Sequence, residues 1–99
     1  MRPVKRDRIA RAVQVTSRFP ATHGAPIHIG SPKDIGILDL DKPDFGDRVD
    51  LLADEEPVFW ACGVTPQAVA LNCKPPLMFA HGPGKLFITD QRDVDYAVL

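Results

Sequence analysis

Pro57-Val58-Phe59-Trp60-Ala61-Cys62-Gly63-Val64-Thr65-Pro66-Gln67 is the stretch that decides how this sequence folds. Its first six residues are a continuous apolar run rich in strand formers. Such a run predicts a strand covered on both faces, because a half-exposed strand would alternate apolar with polar residues. Gly63-Val64 then makes a turn. Thr65 stands where a helix N-cap belongs, and Pro66 at the first helical position, where its missing N–H costs nothing. The helix runs on from Gln67 to Cys73 and stops at Lys74-Pro75-Pro76, because proline cannot continue it.

Downstream, Leu77-Met78-Phe79-Ala80 reads as a second apolar strand. His81-Gly82-Pro83-Gly84 is a tight loop, and Lys85-Leu86-Phe87-Ile88-Thr89 a third strand. The order strand, helix, strand predicts a short βαβ unit with parallel strands. Residues 90–99 form a polar tail with room for one helical turn.

Upstream, Val4 to Phe19 contains neither Gly nor Pro, and Ile9, Ala12, Val13 and Thr16 recur at helical spacing. This predicts an amphipathic helix ending near Pro20. Between 20 and 33, proline and glycine punctuate a loop in which Ile27-His28-Ile29 is a short extended piece. Ser31-Pro32-Lys33-Asp34 has the signature of a helical turn: cap, proline, then an acid in the first turn. Val49 to Leu52 is a further short strand candidate.

Composition narrows the function classes. The chain has 99 residues, 12 Lys+Arg against 13 Asp+Glu, and a net charge of −1. That fits one small domain without the basic footprint of a nucleic-acid binder. No apolar run approaches the ~20 residues that cross a bilayer, and no apolar segment follows Arg2 and Lys5 as a secretory leader would require. The expected setting is therefore cytoplasmic, with Cys62 and Cys73 as free thiols. Ten prolines exclude a bundle of long helices. Charge is segregated: six basic residues stand against Asp7 in 1–18, and nine acids against Lys42 and Arg48 in 34–56. The plain reading is two solvated faces turned toward each other. The sharper one is a surface that docks on another protein.

In a βαβ unit the carboxyl ends of both strands share one edge, where ligands bind in open α/β sheets. That edge would gather Cys62 to Gln67 with His81 to Gly84. A helix start there offers N–H groups and a positive dipole end, which favour a carboxylate. Thr65, Gln67 and His81 are thus candidates around a small-anion site. Thr65 also reads as a plain helix cap and Gln67 as a solvated helix residue. His81, at a strand end beside a glycine loop, suits acid/base work. Cys62 ends an apolar run and reads as a buried, inert thiol. Arg18 either caps the carbonyls of the first helix or grips a carboxylate through both guanidinium nitrogens. His23 and His28 lie five apart in a loop without an identifiable third ligand, so no metal is expected. A phosphate-binding P-loop at Gly82-Pro83-Gly84-Lys85 is excluded by Phe79 and Leu86, where glycine and Ser or Thr are required. The cofactor is left unknown by the sequence.

Four motifs taken in order carry more. Gln14 to Pro20, His23 to Gly30, Pro57 to Gln67, and His81 to Gly84 through Phe87-Ile88-Thr89-Asp90 resemble consecutive motifs of the hydro-lyase family that includes D-glutamate cyclase. Two positions depart from the family pattern: Ala80, where a hydroxyl residue is common, and Lys85, where histidine is common. Family chains are much longer, and Met1-Arg2-Pro3 falls inside a motif that normally ends a strand. The chain therefore looks like a C-terminal portion.

The resemblance implies an α/β fold of two subdomains. Residues 1–99 would form a single domain of it: the C-terminal part of a mixed or parallel-sheet sandwich with the short βαβ unit. It also implies a lyase that removes water from a small amino or carboxylic acid, in one branch closing D-glutamate to 5-oxo-D-proline. On that reading His81 and His23 are catalytic, and Arg18, His28, Thr65, Gln67, Gly82 and Gly84 hold a small carboxylate substrate. The expected partners are further copies or the missing N-terminal region, with neither nucleic acid nor membrane. The competing expectation is a non-catalytic fragment or an association domain, motivated by the short length and segregated charge.

Overall fold

The computed structural model describes residues 1–82, 84, 85 and 88–99. Three strands, β1 (Arg2–Lys5), β2 (His28–Ile29) and β3 (Glu55–Phe59), form one sheet in the order β1-β3-β2. Two helices accompany it, α1 (Ile9–Thr16) and α2 (Val64–Cys73), with short 3-10 turns at Arg6–Arg8, Pro32–Ile35 and Asp93–Tyr96. The chain is thus a small α/β unit.

The apolar run does form the central strand, shifted toward its acidic side. Pro57, Val58 and Phe59 are its buried residues, and Val58 is 0% exposed. Both neighbours are antiparallel: Arg2 faces Val58 and Lys5 faces Glu55 on one side, and His28 faces Phe59 on the other. Pro57 shapes this ladder. Its carbonyl accepts from Gly30 N–H at 3.0 Å, but it has no N–H to return. Pairing with β2 therefore stops at Ile29, and β2 is two residues long. Pro3 lies opposite Pro57, on the edge strand where proline is tolerated.

The parallel βαβ unit is not found among the described residues. β3 already has a neighbour on each edge, so it has no open edge for a strand arriving from α2. Leu77–Ala80 forms no strand, nor do Lys85, Ile88 and Thr89. Leu86 and Phe87 of the third expected strand lie outside the described residues. Val49–Leu52 is also loop.

The first helix starts later than its composition predicts. Residues 2–5 pair with β3, so α1 begins at Ile9 after a 3-10 turn. Its apolar stripe is nevertheless the one read from spacing: Ile9, Ala12, Val13 and Thr16 are half-buried while the intervening residues are exposed. Trp60 Nε1 donates to Thr16 Oγ1 at 3.2 Å, and that hydroxyl donates to the Ala12 carbonyl at 2.8 Å. This links α1 to the residue after β3.

The segregated charges do face each other. Arg6 Nε meets Glu56 Oε1 at 2.9 Å and Lys5 Nζ meets Asp54 Oδ2 at 3.7 Å across the β1–β3 edge. Exposed pairs of this kind contribute at most about 1 kcal/mol each. Ser31 and Pro32 open their 3-10 turn as read, closed by Gly36 at φ 80°, a left-handed conformation that glycine adopts without strain. α2 ends on Lys74 at φ 48°, immediately before Pro75. No described helix is long and apolar enough to cross a membrane.

Candidate functional site

β3 leads through Ala61, Cys62 and Gly63 into the first turn of α2, and this corner makes one wall of an open cleft of about 590 Å³. The other walls are Ala21, Thr22 and His23 from the turn after α1, and His81 from the segment after α2. Of the residues assigned to a parallel-sheet edge, Cys62, Gly63, Thr65, Pro66 and His81 line this cleft, at the end of a central antiparallel strand, and Val64, Gln67, Gly82 and Gly84 do not.

Each histidine is oriented by a carbonyl. The turn that carries His23 is closed by Thr22 N–H and Gly24 N–H, both donating to the Phe19 carbonyl at 3.0 and 3.1 Å, with Gly24 at φ 66°. His23 Nδ1 lies 2.9 Å from the Ala61 carbonyl. A carbonyl only accepts, so Nδ1 carries the proton and Nε2 is left to exchange protons. His81 Nδ1 donates in the same way to the Gly82 carbonyl at 2.9 Å. The His81 imidazole lies over Gly63 so closely that a Cβ at 63 would collide with Nε2. Gln67 donates its side-chain amide to the His81 carbonyl, tying the His81 segment to α2.

Thr65 lines the cleft, and its hydroxyl points backward along the chain. Oγ1 accepts from Cys62 N–H at 3.1 Å, while Thr65 N–H donates to the Cys62 carbonyl at 3.0 Å. The helix N-cap itself is Gly63, not Thr65. Pro66 has no N–H, so the amides of Gly63 and Val64 are the donors this turn does not consume. No lysine, arginine, aspartate or glutamate lines the cleft among the described residues.

The remaining candidates stand elsewhere. Arg18 Nε donates to the Val98 carbonyl at 3.2 Å and its own carbonyl accepts from Val98 N–H at 2.7 Å, so Arg18 fastens the C-terminal tail. His28 lies in β2, stacks obliquely on Phe59 with ring centroids 5.8 Å apart, and donates from Nε2 to the Ser31 carbonyl at 2.7 Å. Gly82 accepts from Lys85 N–H at 2.9 Å in the turn that includes Gly84, which has φ 72°. None of these four lines the cleft. Cys62, expected to be buried, is half-buried in the cleft wall. Among the described residues no three metal-ligating side chains come together. Sequence reasoning missed Thr22 and the Ala61 carbonyl, and it placed Gly63 at the ligand edge without its contact to His81. Only Gly63 offered a signal: a glycine between an apolar strand and a Thr-Pro helix start marks a close approach.

Fold and cleft together define a small α/β unit with two histidines lining one cleft at the end of its central strand. A sequence model of the D-glutamate cyclase family matches residues 1–90, and the chain belongs to that family. It is 62% identical over 96 residues to a Natranaerobius thermophilus protein named "Putative hydro-lyase", covering 97% of this chain and 37% of that one. It is 64% identical over all 99 residues to hydro-lyase-named proteins of Geobacillus kaustophilus and Bacillus subtilis, covering 100% of this chain and 38% of each of theirs. The chain therefore spans under two fifths of the length of these curated relatives, and corresponds to their C-terminal portion.

Proposed function

We propose that this chain supplies part of the active site of a lyase that removes water from a small amino or carboxylic acid, with D-glutamate closing to 5-oxo-D-proline as the specific reaction. The observation that carries this reading is the convergence of His23 and His81 on one cleft, each with Nδ1–H held by a carbonyl. Membership of the D-glutamate cyclase family supports it.

The chemistry suits two imidazoles. In the ring closure the α-nitrogen of D-glutamate forms a bond to the side-chain carboxyl carbon, and a C–O bond of that carboxyl breaks. The nitrogen, attacking as the free amine, loses a proton, and the departing hydroxyl of the protonated carboxyl gains one, leaving as water. One neutral imidazole takes the first proton at Nε2, and the other, entering protonated, gives the second. The Gly63 and Val64 amides at the start of α2 offer the substrate carboxylate hydrogen bonds at the positive end of the helix dipole. Thr65 holds the strand-to-helix corner that presents them, and Gln67 holds His81.

The test is formation of 5-oxo-D-proline from D-glutamate by a family-length enzyme carrying these 99 residues as its C-terminal portion. His81→Ala is expected to lower kcat by about 100-fold to 10,000-fold, the usual contribution of general acid–base catalysis. Unchanged turnover in that variant removes His81 from the chemistry.

A second reading, that these 99 residues by themselves are not catalytic, is favoured by the small core of Pro57, Val58 and Phe59. The 99-residue chain assayed alone separates the two: turnover by it rejects the second reading.

A further inference from the structure

α2 has the composition of a buried helix and the setting of an exposed one. Val64, Ala68, Val69, Ala70, Leu71 and Cys73 put apolar side chains on every side of it, and a helix apolar all round belongs inside a larger body. Yet no residue of α2 is buried, and Leu71 is 66% exposed. The run that follows is bare as well, with Leu77 74% and Phe79 88% exposed. Apolar surface that continues along the chain in this way marks an interaction site. The radius of gyration points the same way: 15.0 Å, against about 13 Å for a closed domain of 100 residues.

The relatives indicate what covers it. They match the chain as a whole at 57–66% identity, within proteins of which it covers only 35–38%. The other three fifths of each of those chains has to pack somewhere. We propose that α2 and Leu77–Phe79 are the seat of that remaining N-terminal portion of the family fold, and that its docking closes the open side of the His23–His81 cleft. The cleft lies at the N-terminal end of the same helix, through Thr65 and Pro66, so a body seated on α2 stands beside it. It also has neither lysine nor arginine among its described lining residues, so the docked body is where a permanent counter-charge for a substrate carboxylate comes from. Only this last point rests on the lyase reading; the docking face stands on burial and length.

Cys73, exposed at the end of α2, is a built-in reporter. Two proteins are compared, both with Cys62→Ser. One is the 99-residue chain. The other is the same chain preceded in one polypeptide by the remaining N-terminal portion of the Geobacillus kaustophilus relative. Maleimide labelling of Cys73 is expected to be at least about tenfold slower in the longer protein, in line with a differential burial of 1.4 kcal/mol or more. Leu71→Asp and Phe79→Asp are expected to lower the thermal midpoint of the longer protein and to leave that of the 99-residue chain unchanged. Equal labelling rates overturn the proposal. So does a pair of substitutions without effect on the longer protein, or a self-association of the 99-residue chain that already shields Cys73. Turnover of D-glutamate is read separately, with Cys62 intact. A longer protein that shields Cys73 but forms no 5-oxo-D-proline retains the docking face and removes the lyase reading.

Discussion

Val58 and Leu71 are both aliphatic residues on regular elements, and the molecule treats them in opposite ways. Val58 sits mid-sheet with a strand on either side and is wholly buried, whereas Leu71 projects from α2 without cover. Around Val58 the chain closes on itself: β1 and β2 complete the ladder, ion pairs cross the β1–β3 edge, and Trp60 reaches α1. Around Leu71 a helix of buried composition carries no buried residue. The comparison teaches that fold and site are unequally complete. The sheet half is stabilised by contacts within these 99 residues, while the half that carries His81 leaves its apolar side chains exposed.

The sharpest way to break this comparison is to put the same charge in both places. Val58→Asp leaves an uncompensated charge in the core and is expected to cost about 3–5 kcal/mol, enough to unfold a small domain. Leu71→Asp in the 99-residue chain is expected to stay within about 0.5 kcal/mol, as surface changes do. Urea unfolding of the two variants checks this, and similar losses would mean that α2 is covered after all.

Gly63→Ala comes next. The added methyl collides with the His81 imidazole and pushes it out of the cleft. Misplacing a catalytic group by about 1 Å can cost on the order of 100-fold, so kcat of a family-length enzyme should fall by about that factor. Its KM should change little and its far-ultraviolet dichroism should be retained.

A smaller effect tests the sheet edge. Arg6→Ala removes the 2.9 Å pair with Glu56 and should cost no more than about 1 kcal/mol, a difference that shrinks as salt is added. Denaturation at two ionic strengths measures it.

The smallest concerns the tail. The Arg92 side chain, and after it the Arg92 backbone N–H, hold the Asp95 carboxyl below its ordinary range. A group depressed in the folded state stabilises above its unfolded pKa, near ~3.9 for Asp. That contribution fades as pH falls through the folded value. The chemical shift of Asp95 should therefore titrate below the usual aspartate midpoint and return toward it in Arg92→Ala.

Much of this was legible in local pattern. The stripe Ile9, Ala12, Val13, Thr16 faces inward as its spacing requires, Ser31-Pro32 opens its turn, and the 57–59 run is the most buried part of the chain. Helical period and apolar continuity are properties of one segment, and they met half-burial at α1 and burial at β3 but neither at Leu77–Ala80, which stays exposed. Strand partners are not such a property. Val4 and Lys5 read as the start of a helix and instead end strand β1, paired with β3. Leu77–Ala80 read as a strand and did not pair, because both β3 edges were already taken. The candidate site divides in the same way. Thr65, Gln67 and His81 were gathered in the reading by a parallel-sheet edge that does not form; Thr65 and His81 instead line a cleft at the end of β3, Gln67 bonds the His81 carbonyl, and His23 joins through the Ala61 carbonyl. Arg18 and His28 are committed to Val98 and to Phe59 and Ser31, partners that only the folded chain supplies.

By itself the sequence determined where apolar runs, helix starts and proline stops fall, because those depend on side-chain type and on backbone groups within a turn or two. It also determined the family, through four motifs in order. Tertiary structure alone decided that the central strand is flanked antiparallel on both edges and that Gly63 is the floor beneath His81. It likewise left α2 bare. Each of these depends on hydrogen bonds and contacts between residues far apart in the chain, and a segment's own composition holds no record of which distant neighbour satisfies it.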